Sequence, residues 1–428
     1  MLTLDISGTL AKTITPSHGI PDQELTALRT GMKRYIENWL RERSHGEHAW
    51  SMDPYDKQTI DRVQDRAMRA KADGIETIVW IGIGGSGLGP RVIQEVFEGP
   101  DTVSWITLDT LDPAVLERYL SIIDWKATLV VIASKSGDTL EPMSLFALCW
   151  EQLRDVLKDQ AAAHVIAITD PAKGSLRNFC VDHAIEMLPI PPGVGGRYSI
   201  FTPVGLLPLA LLGGDVAGFV RGAKEMDTLC QQLTLEHNPA ALLASVQYIL
   251  DAKRAYPVRV IMPYSQRLQS FGRWNQQLIA ESLGKVETQN PIPLAAIGTQ
   301  DQHSLLQQWM AGPRKCFHIF ITEQEKPRLL VPTDIEEPFR YLAGKTFSQL
   351  IDACYEGTSR ALTSVKRPSV TITMTRLDSS HLGQLFFLFC TEVVFLGKLY
   401  RIDPYGQPAV ETGKQITKEI LSRGREES

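Results

Sequence analysis

The chain has 428 residues, enough for two or three domains and a large core. Its hydrophobic fraction of 43%, charged fraction of 22% and net charge of −5 fit a soluble, mildly acidic globular protein. That balance argues against a nucleic-acid binder, which carries a basic stripe, and it asks any anionic substrate to find a locally positive pocket.

The N-terminal stretch MLTLDISGTLAK lacks a basic region followed by an apolar run, so no signal peptide is expected. Residues 21–72 read mostly as helix, with charges interleaved through LTALRTGMKRYIENWLRER and IDRVQDRAMRAKA. A regular alternation then begins. Strand ETIVWIGI precedes helix PRVIQEVFE, VSWITLD precedes DPAVLERYLSII, TLVVIAS precedes EPMSLFALCWEQLRDVL, and HVIAIT precedes SLRNFCVDH. Near-continuous apolar strands alternating with helices predict a parallel sheet covered on both faces, with ligands at the carboxyl ends of its strands.

Near residue 235 the alternation restarts with helix PAALLASVQYILDAKR, strand VRVIMPY and helix LQSFGRWNQQLIAESL. Strand HIFIT, helix FSQLIDACYEGTSRAL, strand VTITMT, helix HLGQLFFLFCTEVVFLGKLY and a final helix from about Ala409 follow. The expected fold is α/β: two closely packed, doubly wound lobes, residues 1–235 with the N-terminal helices and residues 236–428 with the final helix. The greasy run 385–397 is short and carries Glu392, so it reads as a core helix rather than a membrane span. The six cysteines form no C-x-x-C pair and read as reduced, mostly buried thiols of a cytoplasmic protein. His45 and His48 lie close together, but no ligand set for a metal accompanies them.

Two turns carry the chemistry. In IVWIGIGGSGLGP, Gly82, Gly84 and Gly87 fit the G-x-G-x-x-G dinucleotide fingerprint, and Asp109 ends the next strand where a ribose-binding acid would stand. Gly85 and Ser86 lie inside the same turn, where a hydroxyl can face a small phosphate. Alone, this loop leaves both ligands open. The third strand ends in Ser134-Lys135-Ser136-Gly137-Asp138-Thr139, again between a strand and a helix. Helix N-termini attract anions, although Ser and Thr there most often just cap the helix. Two such loops at one sheet edge place Ser86, Ser134, Ser136 and Thr139 around one phosphate.

Four further stretches decide between the two ligands: GGRYSIFTPVGLLPLAL (195–211), SFGRWNQQLIAESLGK (270–285), GTQDQHSLLQQW (298–309) and QPAVETGK (407–414). With IGIGGSGLGP and SKSGDT, and in this order, they resemble the phosphoglucose isomerase family in its bacterial branch, from about residue 78 to residue 414. The resemblance implies two sugar-isomerase domains and interconversion of glucose 6-phosphate and fructose 6-phosphate, with no metal and no nicotinamide cofactor. The glycine loop then holds a sugar phosphate.

The resemblance also implies roles. Moving a carbonyl from C1 to C2 needs one base that reaches both carbons through an enediol, and a carboxylate with two nearby oxygens suits this. Glu281 matches that base, with Gln277 one turn earlier on the same helix face. Arg197 matches the donor for the enediolate, and Gly195 and Gly196 let backbone approach the sugar. His303 and Lys414 match the pair that opens the sugar ring, and histidine's pKa near neutrality fits that work. Gln407 resembles a phosphate contact, as do Gly85, Ser86, Ser134, Lys135, Ser136 and Thr139. The resemblance further implies a homodimer in which His303 comes from the partner subunit.

Asp138 stands where a threonine is usual, and Ala409 where a glycine is common. A carboxylate beside a phosphate repels it unless it points away or pairs with a cation such as Lys135, and with Thr139 retained Asp138 is expected to face outward. Other readings are a sugar-phosphate sensor without catalysis, a nicotinamide dehydrogenase using Gly82–Gly87 and Asp109, and an isomerase that also accepts mannose 6-phosphate.

Overall fold

The computed structural model describes residues 1–288 and 290–423. In chain order the strands are β1 (Thr3–Asp5), β2 (Thr77–Ile81), β3 (Ser104–Leu108), β4 (Thr128–Ala133) and β5 (Val165–Thr169), then β6 (Glu186–Pro189), β7 (Val258–Pro263), β8 (Ile292–Ala295), β9 (Cys316–Glu323) and β10 (Ser369–Met374). They form two five-stranded sheets, ordered β3-β2-β4-β5-β6 and β1-β10-β9-β7-β8. Every pairing is parallel except β1 with β10.

Alternation along β2 explains why the first sheet reads as an unbroken apolar run. Ile78 and Trp80 join the large core shared by both lobes, while Val79 and Ile81 join a second cluster on the opposite face. In β4 all six residues are buried. Both faces are covered, so the strands are mostly apolar on both, with the few polar residues, such as Thr107, Thr128 and Thr169, buried.

The shared core holds the lobes together. It includes Ile166 and Ile168 of β5, Ile319 and Ile321 of β9, and the helix Ser379–Tyr400 between them. That helix is buried from His381 to Gly397. Glu392 sits inside it because Arg259 of β7 meets its carboxylate with two hydrogen bonds of 2.5 and 2.8 Å. The run 385–397 is therefore a core helix, as its length and its glutamate predict.

Two expectations need correction. Thr3–Asp5 belongs to the second sheet, not to the first lobe, because β1 pairs with Thr371–Thr373 at its edge. The final helix, Val410–Arg423, does not pack back: residues 409–422 are all exposed, including Val410, Ile416, Ile420 and Leu421. Its apolar side finds no complementary surface among the described residues. What returns to the first lobe is the strap before it, residues Asp403–Gln407.

Candidate active site

The loop after β2 runs straight into the helix Gly85–Phe97. Its glycines are required by contact. A Cβ on Gly82 would lie 2.4 Å from the carbonyl oxygen of Ser86, which also accepts from the Trp80 indole at 2.9 Å. A Cβ on Gly85 would lie 2.1 Å from the carbonyl carbon of Gly196. The first loop thus rests backbone-to-backbone on the G-G-R-Y turn. Gly84, at φ +55°, presses against the Gln277 amide, with a built Cβ 2.9 Å from its Nε2. Gly85→Ala is expected to force the loop off Gly196, raising KM for the sugar phosphate about tenfold or more, because no flexible side chain can yield there. Steady-state kinetics would check this.

The second loop follows β4, which pairs directly with β2, so both tips lie at the same sheet edge. Thr139 occupies the N-cap of Leu140–Leu157, yet its side chain makes no capping bond. It shares a 3.3 Å hydrogen bond with the Ser136 hydroxyl instead, and Ser136 also accepts the Asp138 N–H at 3.4 Å, so one of the two hydroxyls keeps its proton for a ligand. Ser134 differs: it is buried, and its hydroxyl accepts the Gly137 N–H at 3.2 Å, so it shapes the loop. Lys135 donates to the Val194 carbonyl at 2.8 Å and ties this loop to the G-G-R-Y turn. Asp138 accepts from the Ser175 hydroxyl at 2.5 Å. It therefore faces the neighbouring helix Ser175–Asp182, with Ser175 rather than Lys135 as its partner. Asp109, the ribose-acid candidate, is taken by Arg91 at 2.9 Å.

Arg197 is the hub. Its guanidinium is buried, and all five N–H groups are engaged. Nε donates to Ser282 at 2.8 Å, Nη1 to Glu281 at 3.0 Å and Gln407 at 2.9 Å, and Nη2 to the carbonyls of Pro404 at 2.7 Å and Gly406 at 3.0 Å. Glu281 lies in the last turn of the helix Gln269–Leu283 and takes a second hydrogen bond, 2.9 Å, from Gln277. The other Gln277 amide atom, Oε1, is buried without a partner. Glu281 also lines an open cleft of about 480 Å³ with Leu88, Arg273, Gln276, Gln277, Ala280 and Ala295. A carboxylate with one oxygen on a guanidinium and one on an amide is held still at the cleft edge. That is the placement a proton-shuttling base needs.

Within this one chain, two expected residues stand apart. His303 follows the helical turn Gln300–Gln302 and is exposed. Lys414 lies on the exposed final helix, paired with Glu411 at 2.8 Å. Neither bonds to a site residue among the described residues. Three contributors were not picked out from the sequence: Ser282, Lys285 and Tyr405. Lys285 and Tyr405 lie inside or beside stretches already singled out, but hydrogen bonds to backbone carbonyls leave no pattern in side-chain identity.

The phosphoglucose isomerase family model matches residues 52–428. The chain belongs to the phosphoglucose isomerase family. A glucose-6-phosphate isomerase of Rubrobacter xylanophilus is 35% identical over 382 residues, covering 86% of this chain and 88% of that protein. A hypothetical protein of Thermus thermophilus superposes with a TM-score of 0.90 at 31% identity, covering 98% of this chain and all of that one. A glucose-6-phosphate isomerase of Chlamydia trachomatis superposes with a TM-score of 0.82 at 22% identity, over 96% of this chain and 88% of its own, a likeness of fold. The loops after β2 and β4, Arg197 and Glu281 lie together in one chain, and His303 and Lys414 do not join them there.

Proposed function

We propose that this chain interconverts glucose 6-phosphate and fructose 6-phosphate, with Glu281 carrying the proton between C1 and C2. The observation that carries this reading is Glu281, clamped between Arg197 and Gln277 beside two phosphate-type loops. The phosphate is held by Ser86, Ser136 and Thr139 and by N–H groups at the start of the helix Gly85–Phe97. As C2 or C1 oxygen gains negative charge, the fixed positive charge of Arg197 stabilises it, and a direct hydrogen bond forms when Nη1 releases Glu281 or Gln407. The reaction moves one proton from C2 to C1 by way of Glu281, a second from O2 to O1, and an electron pair between the two carbons, all within the substrate. It needs no external oxidant or reductant.

In this reading the protein works as a homodimer, in the cytoplasm, within glycolysis and gluconeogenesis. The exposed His303 reaches the site of the partner copy and opens the sugar ring there. Assembly of two copies also covers the bare final helix and brings Lys414 to a site.

Mixed dimers test the division of labour. Fructose 6-phosphate turnover is followed through an NADP-linked dehydrogenase, with chelator expected to change nothing in the wild-type protein. Glu281→Gln and His303→Ala are each expected to be nearly inactive. Co-expressed, they should recover about one quarter of wild-type turnover, because random pairing makes half the dimers mixed and each mixed dimer has one whole site. No recovery would place His303 in its own chain's site, and an active His303→Ala would remove it from catalysis.

A further inference from the structure

The strap Asp403–Gln407 is held from two sides by two cations. The carbonyls of Pro404 and Gly406 accept from Arg197. The alternate carbonyls, those of Asp403 and Tyr405, accept from Lys285 Nζ, the first at 2.6 Å. Lys285 has no carboxylate partner within ion-pair distance among the described residues, and burial together with the Arg197 charge pushes its pKa down. The Asp403 carboxylate, beyond ion-pair distance, opposes this only in part. Four consecutive carbonyls, alternating between the two cations, supply the remaining acceptors.

The strap is fixed by its side chain as well. The Tyr405 hydroxyl accepts from the Trp50 indole at 3.0 Å and bonds His48 Nδ1. His48 Nε2 bonds Glu42 at 2.8 Å, and Glu42 is held in turn by Lys398 at 2.7 Å. The far end of the strap is Gln407, whose Oε1 accepts from the same Arg197 Nη1 that holds Glu281. Lys285 lies four residues beyond Glu281. A closed ring results: Lys285 to the strap, the strap to Arg197, Arg197 to Glu281, and the chain back to Lys285.

We propose that Lys285 is a positioning residue for the reaction, fixing the strap so that Arg197 aims its Nη1 at Glu281 and the developing enediolate. The proposal rests on the functional reading above. Lys285 touches neither of the two loops assigned to the phosphate, and Gln407 at the end of the strap has its amide oxygen on Arg197, so removal of Lys285 acts on turnover more than on binding. Without the ammonium, the carbonyls of Asp403 and Tyr405 turn toward solvent, those of Pro404 and Gly406 swing off Nη2, and Arg197 loses its fixed direction. A displacement of about 1 Å at such a group lowers turnover on the order of 100-fold.

The test uses full-length Lys285→Met with two readouts. Hydrogen exchange of the peptide containing 403–407 needs no substrate and should speed up about tenfold or more, with the rest of the protein unchanged. In the isomerase assay kcat should fall about 100-fold with KM within about threefold of wild type. Lys285→Cys treated with 2-bromoethylamine rebuilds an aminoethyl side chain and should restore both readouts, while wild-type protein treated alike stays active. Unchanged exchange would overturn the clamp whatever the activity. Faster exchange with unchanged kcat, or an equal loss through KM, would overturn the positioning role. Faster exchange in a protein whose wild type shows no isomerisation would leave the clamp standing and sink the functional reading instead. If Lys285→Met does not fold, Lys285→Gln is read by the same criteria.

Discussion

Glu281→Gln is expected to lower isomerisation about 10⁴-fold, the upper end of what a positioned general base contributes, while sugar-phosphate binding changes less than about threefold. The substitution keeps the shape of the side chain and removes its ability to take a proton. The surroundings can absorb it. Arg197 Nη1 still needs an oxygen at its 3.0 Å contact, so the new amide turns its carbonyl there and its NH₂ toward Gln277. Gln277 then offers its Oε1, now buried without a partner, by flipping its own amide. What remains is a buried guanidinium that has exchanged a charged acceptor for a neutral one, a cost of about 1–3 kcal/mol. The folded protein should therefore be available for calorimetric binding of fructose 6-phosphate. Turnover above about a tenth of wild type would remove Glu281 as the base, whose loss costs at least 10²-fold in typical cases.

Arg197→Lys should damage stability and catalysis together. The guanidinium presents five donors in a plane, and an ammonium presents three. Its acceptors are the buried Ser282 hydroxyl and Pro404 carbonyl and the part-buried Gln407 amide oxygen, Gly406 carbonyl and Glu281 carboxylate. A lysine leaves at least two of the five without a donor, at about 1–3 kcal/mol for each buried one and less where water can replace it, so the loss is about 1–4 kcal/mol. Turnover should fall about 10²–10³-fold through the loss of an aimed donor at the developing oxyanion. Urea unfolding and steady-state kinetics on the same preparation check both parts. A variant with a wild-type unfolding midpoint would show that the strap does not depend on this arginine.

These two residues differ in how far sequence reasoning reaches them. Glu281 and Gln277 are four apart on one helix, and local geometry puts them on one face. The contact between Arg197 and residues 404–407 spans more than two hundred positions, and no spacing rule predicts it. The phosphate loops fall between. Each is legible as a strand–turn–helix junction. The assignment of Ser134 to loop shape and of Thr139 to a ligand-facing hydroxyl depends on which N–H each oxygen meets.

Strand recognition failed in a consistent way. β1, β6 and β8 went unread, and all three are edges of their sheets. β6 ends in Pro189 and β8 contains Pro293, residues that argue against a central strand but are tolerated at an edge. β1 has three residues and an antiparallel partner about 370 positions away. Central strands such as β4 announce themselves because both faces are buried. Edge strands draw their pairing from a neighbour already in place.

By itself, the sequence determined the α/β alternation, the core helix through residues 385–397, and the order of six motifs that mark the family. These depend on local periodicity and turn chemistry, which residues within a few positions of each other decide. Only the tertiary structure decided that the strap Asp403–Gln407 locks Arg197, that Asp138 turns to Ser175, and that His303 and Lys414 stand outside the site within one chain. Those outcomes rest on which distant backbone carbonyls and side chains the folded sheets bring within 3 Å, and composition and spacing carry no record of that.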